Sequence, residues 1–295
     1  MAARVLPRSL GLLKLALNGS LYGQTAVGKF CTASGLKTQV ALVTGSTSGI
    51  GQGVAESLAS RGCNVILNGF GDPNAIKTIQ NDIESKYNVE ADFVDGDLSK
   101  QEEIQKLCQQ IDELYPKGID ILVNNAGLQH VSPVEEFPVE RWDLLIAVML
   151  SAPFHLTRHF LPKMKTKGWG RIVNLASIHG IVASPNKAAY VSAKHGVLGL
   201  TKVVALEAAT SGVTCNALCP GFVETEIFKK QIEARAQQEG CSYNEAKRLI
   251  LQLVHPTMEP VGVDQVSEYV AFICSRAADQ MTGSIMTMDG GWTAR

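Results

Sequence analysis

From Val40 the chain alternates between short, wholly apolar runs and longer stretches in which apolar residues recur every three or four positions. Runs of four to eight apolar residues bounded by turn residues read as buried strands, and the longer periodic stretches as helices. VALVT predicts a first strand, and GSTSGIGQGVAESLASRG opens a helix after it. NVILNG, ADFVDGD, IDILVNNAG, RIVNLAS, VTCNALCPG and GSIMTMDGG predict six further strands. Helices are predicted at Pro73–Tyr87, Gln101–Tyr115, Val139–Thr166, Ala188–Thr210 and Gly262–Arg276. A helical insert, from about Ile232 to Val254 within a loop spanning about 224–260, is also predicted. Strand followed by helix, repeated, implies a single α/β domain over 40–295. Its seven-stranded parallel sheet is doubly wound, with helices on both faces.

Residues 1–39 break the pattern. They carry Arg4, Arg8, Lys14, Lys29 and Lys37, and the first acidic residue of the chain is Glu56. A basic, hydroxylated, acid-free segment with a short amphipathic run (SLGLLKLAL) is the composition of a mitochondrial transit peptide. Delivery to the matrix is therefore expected. A secretory signal, or a disordered tail on a cytoplasmic protein, are the alternatives.

Composition narrows the function. Hydrophobic residues make up 45% and charged residues 19% of 295 residues, with a net charge of −1, so a sizeable core is expected. No basic tract or aromatic ladder points to nucleic acid. No run approaches 18 uninterrupted apolar residues, so no membrane span is expected. The seven cysteines are scattered and contain no CxxC pair, which argues against a disulfide framework or a structural metal site.

Thr44-Gly45-Ser46-Thr47-Ser48-Gly49-Ile50-Gly51 follows the first strand and opens the first helix. Glycines there let the backbone turn tightly and approach a pyrophosphate at the helix N-terminus. Thr44, Gly45, Ser48, Gly49, Ile50 and Gly51 are the candidate phosphate-binding residues. The end of the second strand, Asn68-Gly69-Phe70-Gly71-Asp72, holds no cation for a 2′-phosphate, so NAD is expected over NADP. Asp72 suits a ribose hydroxyl or a helix cap before Pro73. Asp97 and Leu98 are candidates for the adenine, Asn125, Ala126 and Gly127 for the adenosine ribose, and Pro220, Gly221 and Val223 for the nicotinamide. All fall at carboxyl ends of predicted strands, where open parallel sheets bind ligands.

Tyr190 and Lys194 stand at i and i+4, on one helix face, thirteen residues after Ser177 at a strand end. A phenol ionises near pH 10, and a neighbouring ammonium favours the phenolate. Lowering that value by about three units takes roughly 4 kcal/mol. The three residues are expected to move a proton to or from an alcohol oxygen, Ser177 supplying a hydrogen bond.

With these motifs in order (TGSTSGIG, NNAG, Ser177, YVSAK and the Pro220-Gly221 pair), the sequence from Val40 onward resembles the short-chain dehydrogenase/reductase family. The resemblance implies a Rossmann-like fold and hydride transfer to NAD(P), with Tyr190 and Lys194 also contacting the cofactor. NNAGLQHVSPVEEFPVERWD, SIHGIVASPNKAAYVSAKHGVLGLTKVVALE and MDGGWTA are similar to the bacterial-type D-3-hydroxybutyrate dehydrogenases. That likeness implies NAD-dependent interconversion of (R)-3-hydroxybutyrate and acetoacetate by a homotetramer built on the Val139–Thr166 and Ala188–Thr210 helices and the last strand. It also implies that Gln129, His179 and Lys187 hold a small carboxylate substrate. Reduction of another small carbonyl compound or an acyl thioester is the alternative within enzymes.

Two positions depart from that group. Where it has an asparagine that helps hold a water linking the lysine to solvent, this chain has Met149, whose thioether is a weak acceptor. Proton delivery to Lys194 is expected to suffer, and a low-activity nucleotide-binding scaffold is the alternative from another class. Where the group has a second carboxylate-binding glutamine, this chain has His255, read either as a donor to the substrate or as a surface histidine.

Overall fold

The computed structural model of the protein describes residues 36–294. Its strands are β1 (Val40–Val43), β2 (Asn64–Leu67), β3 (Ala91–Phe93), β4 (Ile121–Asn124), β5 (Gly170–Leu175), β6 (Val213–Pro220) and β7 (Ile285–Met288). They form one parallel sheet in the order β3-β2-β1-β4-β5-β6-β7. β1, β4, β5 and β6 are buried along their whole length, as strands covered on both faces must be. Successive side chains point to opposite faces, so Ala41 and Val43 enter one core layer and Val40 and Leu42 the other. The first layer packs α1 (Gly49–Ala59), α2 (Pro73–Tyr87) and α9 (Val263–Cys274). The second packs α3 (Gln101–Leu114), α5 (Ala152–Lys167) and α6 (Ala188–Ala208). The expected doubly wound, seven-stranded Rossmann-like architecture is the observed one.

The chain joins the fold slightly earlier than Val40. Leu36 is 2% exposed in the first core layer, and its carbonyl accepts a hydrogen bond from Cys63. Burying one leucine is worth about 1.5–3 kcal/mol, enough to hold the segment before β1. Residues 1–35 of the segment read as a transit peptide lie outside the described residues.

The helix expected over Val139–Thr166 is interrupted. α4 (Val139–Ile146) passes into α5 through a π-helical turn at Ala147–Ser151. Pro153 has no N–H to offer the Met149 carbonyl, and the Ala152 N–H reaches back five residues to Ala147 instead. By length and composition this 29-residue stretch is apolar enough to cross a bilayer. Leu145, Met149, Leu156, Phe160 and Met164 are nevertheless buried in the domain, as in a core helix.

The insert also differs. It is a pair of helices, α7 (Glu226–Glu239) and α8 (Tyr243–Leu251), and begins six residues before the expected Ile232. Thr225 caps α7, accepting from the Phe228 N–H, and that cap sets the earlier start. Phe228, Ile232, Ala246 and Leu251 give the pair its own small core, with Phe222 against it.

Candidate functional site

The strand order reverses at β1, where β2 and β4 flank it on opposite sides. Ligands of open α/β sheets bind outside the carboxyl ends of strands at such a point. Here a cavity of about 710 Å³ opens, within the range of cofactor sites.

At one end the turn after β1 is shaped for close backbone approach. Gly45 (φ 62°) and Gly49 (φ 55°) occupy left-handed conformations, and a Cβ on Gly45 would stand 2.9 Å from the Ala126 Cα. Ser48 precedes α1 but forms no side-chain cap, and no acidic residue lies in the first turn. The N–H groups and positive dipole end of α1 are therefore free to meet an anion. Gly45, Ser48, Gly49 and Ile50 line the cavity. Thr44 and Gly51 do not, contrary to expectation. The buried Thr44 hydroxyl accepts from the N–H groups of Asn125 and Ala126 and so ties β1 to β4. A Cβ on Gly51 would lie 2.1 Å from the Gly45 carbonyl, so Gly51 lets α1 pack onto the turn.

Phe70 lines the cavity after β2, and the Thr47 hydroxyl donates to its carbonyl at 2.7 Å. Asp72 is the cap of α2: one carboxylate oxygen accepts from the N–H groups of Asn74 and Ala75. Asp72 does not line the cavity, so of its two readings the helix cap is the one observed. Asp97, Leu98, Asn125, Ala126 and Gly127 line the same wall. The Asn125 amide donates to the carbonyls of Thr44 and Gly45, and hydrogen bonds from Ser99 hold the Asp97 carboxyl below the usual carboxylate range.

Ser177, Tyr190 and Lys194 meet at the other end. A buried polar chain aligns the elements that carry them: the Asn124 amide donates to Asn174, whose amide donates to Thr201 on α6, each at 2.8 Å. Ser177 starts a 3₁₀ turn at Ile178–Gly180 and accepts from the His179 N–H at 3.1 Å. A Cβ on Gly180 would be 2.8 Å from the Lys194 carbonyl, so glycine lets this turn lie against α6. The Lys194 ammonium donates to the Leu175 carbonyl at 2.6 Å. Burial pushes Lys194 down to about 8 and pushes Tyr190 up, with the Ser177 hydrogen bond pulling the phenol partly back. The expected lowering of Tyr190 by Lys194 is not found: desolvation raises the phenol, and what pulls it back is the Ser177 hydrogen bond, not the charge of Lys194.

Of the four candidate carboxylate ligands, three line the cavity: Gln129, His179 and Lys187. The Lys187 ammonium lies 3.1 Å from Nε2 of His179. Burial, and then the charge of Lys187, push His179 down to about 4, so it is neutral at pH 7. Its ring stands edge-on to Tyr190, with centroids 6.0 Å apart. His255 is the exception. It is completely buried, and neither of its sequence-based readings holds. Nε2 accepts from the Phe222 N–H at 3.0 Å, and Nδ1, 3.1 Å from the Glu259 carbonyl, donates to it. Both ring nitrogens are engaged by backbone.

Pro220, Gly221 and Val223 line the cavity between its two ends. Phe222, Ile227, Gln231 and Trp292 also line it and were not anticipated. Trp292 is delivered by a turn in which the Asp289 carboxylate accepts from the N–H groups of Gly291 and Thr293 and from the Thr293 hydroxyl. The sequence DGGW hinted at that turn, but nothing local says where it points. Met149 is 1% exposed, in an apolar cluster with Leu145, Ala189 and Ala193 against which Tyr190 packs.

The family model described as "short chain dehydrogenase" matches residues 39–236. D-beta-hydroxybutyrate dehydrogenase of Cupriavidus necator is 49% identical over 260 residues, covering 88% of this chain and 100% of that protein. The protein of the same name from Rhizobium meliloti is 46% identical over 258 residues, with the same coverage. Among solved structures, L-sorbose reductase from Gluconobacter frateurii, complexed with NADPH and L-sorbose, superposes with a TM-score of 0.85 at 24% identity. That match covers 89% of this chain and 99% of the reductase, and speaks to the fold alone.

Proposed function

The chain belongs to the short-chain dehydrogenase family, and we propose that it interconverts (R)-3-hydroxybutyrate and acetoacetate with NAD. The observation that carries this reading is the pairing of Lys187 with His179 beside Tyr190. Lys187 and Lys194 are the only cations among the described residues lining the cavity, and both lie at its phenol end. A small acid would therefore bring its carboxylate to Lys187 and its carbinol to the phenol. The other end offers an uncapped helix N-terminus to a pyrophosphate and, among the described residues, no cation to a 2′-phosphate, which favours NAD over NADP.

The glycine turn, Phe70, Asp97, Leu98 and the Asn125–Gly127 segment would hold the dinucleotide, with Pro220, Gly221 and Val223 beside its nicotinamide. Bound there, the cofactor supplies the hydride acceptor. In oxidation Tyr190 takes the proton of the substrate hydroxyl and Ser177 hydrogen-bonds to the same oxygen. Lys194 adds positive charge behind the phenol. Gln129, His179 and Lys187 orient the carboxylate; bonds from charged donors are the stronger kind. General acid–base groups of this sort contribute about 10²–10⁴-fold.

The test compares 3-hydroxybutyrate with its methyl ester. The acid should be turned over with the higher kcat/KM, and Lys187→Ala should raise KM for the acid alone. Equal use of acid and ester would refute the carboxylate reading.

Assembly as a homotetramer is part of the proposal. Phe154 on α5 and Val203 and Leu206 on α6 are exposed apolar side chains on the helices expected to pair, 47%, 52% and 80% accessible. Sedimentation equilibrium tests it, a monomer being the contrary result. Delivery to the mitochondrial matrix rests on the basic, acid-free composition of residues 1–39. A fluorescent reporter fused to that segment should enter mitochondria; a cytoplasmic reporter would refute it.

A further inference from the structure

His255 lies where three separate parts of the chain meet. Its own N–H donates to the Leu251 carbonyl at 2.7 Å, fastening it to the end of α8. An amide N–H only donates and a carbonyl only accepts, so its two ring bonds fix the Nδ1–H tautomer. The ring leaves no room beside it. A Cβ on Gly221 would come 2.3 Å from Nε2, and one on Gly290 2.7 Å from Nδ1. The neighbouring Thr257 N–H donates to the Gly290 carbonyl at 3.1 Å, and the Val261 N–H to the Phe222 carbonyl at 2.8 Å. The insert, the loop after β6 and the C-terminal turn are thereby joined around one imidazole.

Two cavity-lining side chains depend on that junction. Phe222 stacks on Phe228 of α7 (4.9 Å, 22°) and lies 5.6 Å from Trp292. Trp292 reaches the His179 ring at 5.5 Å. His255 touches both rings from behind, at 5.7 Å and 5.9 Å, without lining the cavity itself.

We propose that His255 is a positioning residue, a latch that holds Phe222 and Trp292 together as one contiguous aromatic wall of the substrate end. Its ring gives up contact with substrate and binds two backbone segments instead. The latch fixes where that wall stands and so limits the acids that fit beside it. This inference rests on reading that end as the site of a small 3-hydroxy acid.

The experiment uses the full-length protein with Trp142→Phe and Trp169→Phe, leaving Trp292 as the single fluorophore of the three tryptophans. His255→Ala and His255→Gln are compared in it. A glutamine carries both an acceptor for the Phe222 N–H and a donor for the Glu259 carbonyl. With His255→Ala, acrylamide should quench Trp292 more strongly, and KM for 3-hydroxybutyrate should rise ~10-fold or more as the wall shifts. The preference for the four-carbon over the six-carbon 3-hydroxy acid should fall, while NADH affinity stays within ~2-fold. His255→Gln should restore quenching and KM. Unchanged quenching and KM in His255→Ala would overturn the latch. So would equal losses of NADH and substrate binding, which mark general misfolding, or a folded His255→Gln that rescues nothing. If the parent protein oxidises neither acid, the functional reading fails, and Trp292 quenching still decides the latch.

Discussion

The ammonium of Lys194 stands 5.7 Å from the centroid of the Tyr190 ring and spends its hydrogen bond on the Leu175 carbonyl, not on the phenol. One helical turn separates the two residues, so they share a face of α6, but sharing a face is not the same as pairing. Both are desolvated, and desolvation favours the neutral form of each: the amine is pushed down and the phenol up. Tyr190 is therefore held as a neutral phenol.

That argument predicts a titration. The tyrosinate absorbance of the free protein, taken as the difference from Tyr190→Phe, should show Tyr190 ionising above the ordinary value near 10. A phenolate present at pH 7 without ligands would contradict it. Tyr190→Phe should lower kcat by ~10²–10⁴-fold with NADH affinity retained.

A second prediction concerns His179 and Lys187. The folded-state value of His179, about 4, lies below the ordinary 6.5. Between those values the unfolded chain binds more protons, so the stability from keeping this ring neutral is complete above pH 6.5. It is lost as the pH falls toward 4. From His179 alone, about 2 kcal/mol should disappear between pH 7 and pH 5. Lys187→Met removes the second cause of the depression, so His179 should titrate higher, followed by its imidazole proton resonances. The variant should then lose less stability across the same interval in urea unfolding. A His179 titration unmoved by Lys187→Met would show that burial alone sets it.

Much of this was readable from the chain. Buried parallel strands must be apolar on both faces, so VALV and ILVN announced themselves, and the glycine turn and the Tyr190–Lys194 spacing are local patterns. What stayed hidden depends on distant partners. The same carboxylate at Asp72 serves a ribose or a helix end, and only its place in the fold, bonded to Asn74 and Ala75 and outside the cavity lining, decides. His255 is polar in sequence and wholly buried in the fold, because its partners lie 33 residues back at Phe222 and four ahead at Glu259. The π turn before Pro153 was in principle legible, since a proline must leave the carbonyl four residues earlier unpaired.

Cofactor choice gives a third prediction. Phe70 lines the cavity after β2 and is 75% exposed. An arginine there would meet a 2′-phosphate in solvent, with no buried partner to lose. Phe70→Arg should raise kcat/KM for NADP by ~10-fold or more, a charge-assisted contact being worth about 1.5–3 kcal/mol. Activity with NAD should change little. If NADP remains unused in the variant, the 2′-hydroxyl end of the site lies elsewhere.

The last prediction is that Met149→Asn sets stability against turnover. The side chain of Met149 is 1% exposed, and its cluster with Leu145, Ala189 and Ala193 offers no hydrogen-bonding side chain. The π turn around it leaves backbone carbonyls without their usual partners, and an amide placed there could take one of them, or a water, and pass toward Lys194. The substitution removes packed volume and buries an amide, which should cost about 2–4 kcal/mol in urea unfolding. If the missing amide limits proton delivery, kcat should nevertheless rise, and rise most below pH 8, where Lys194 carries its proton. A variant with lowered stability and unaltered kcat at every pH would show that the backbone of the turn already supplies the path.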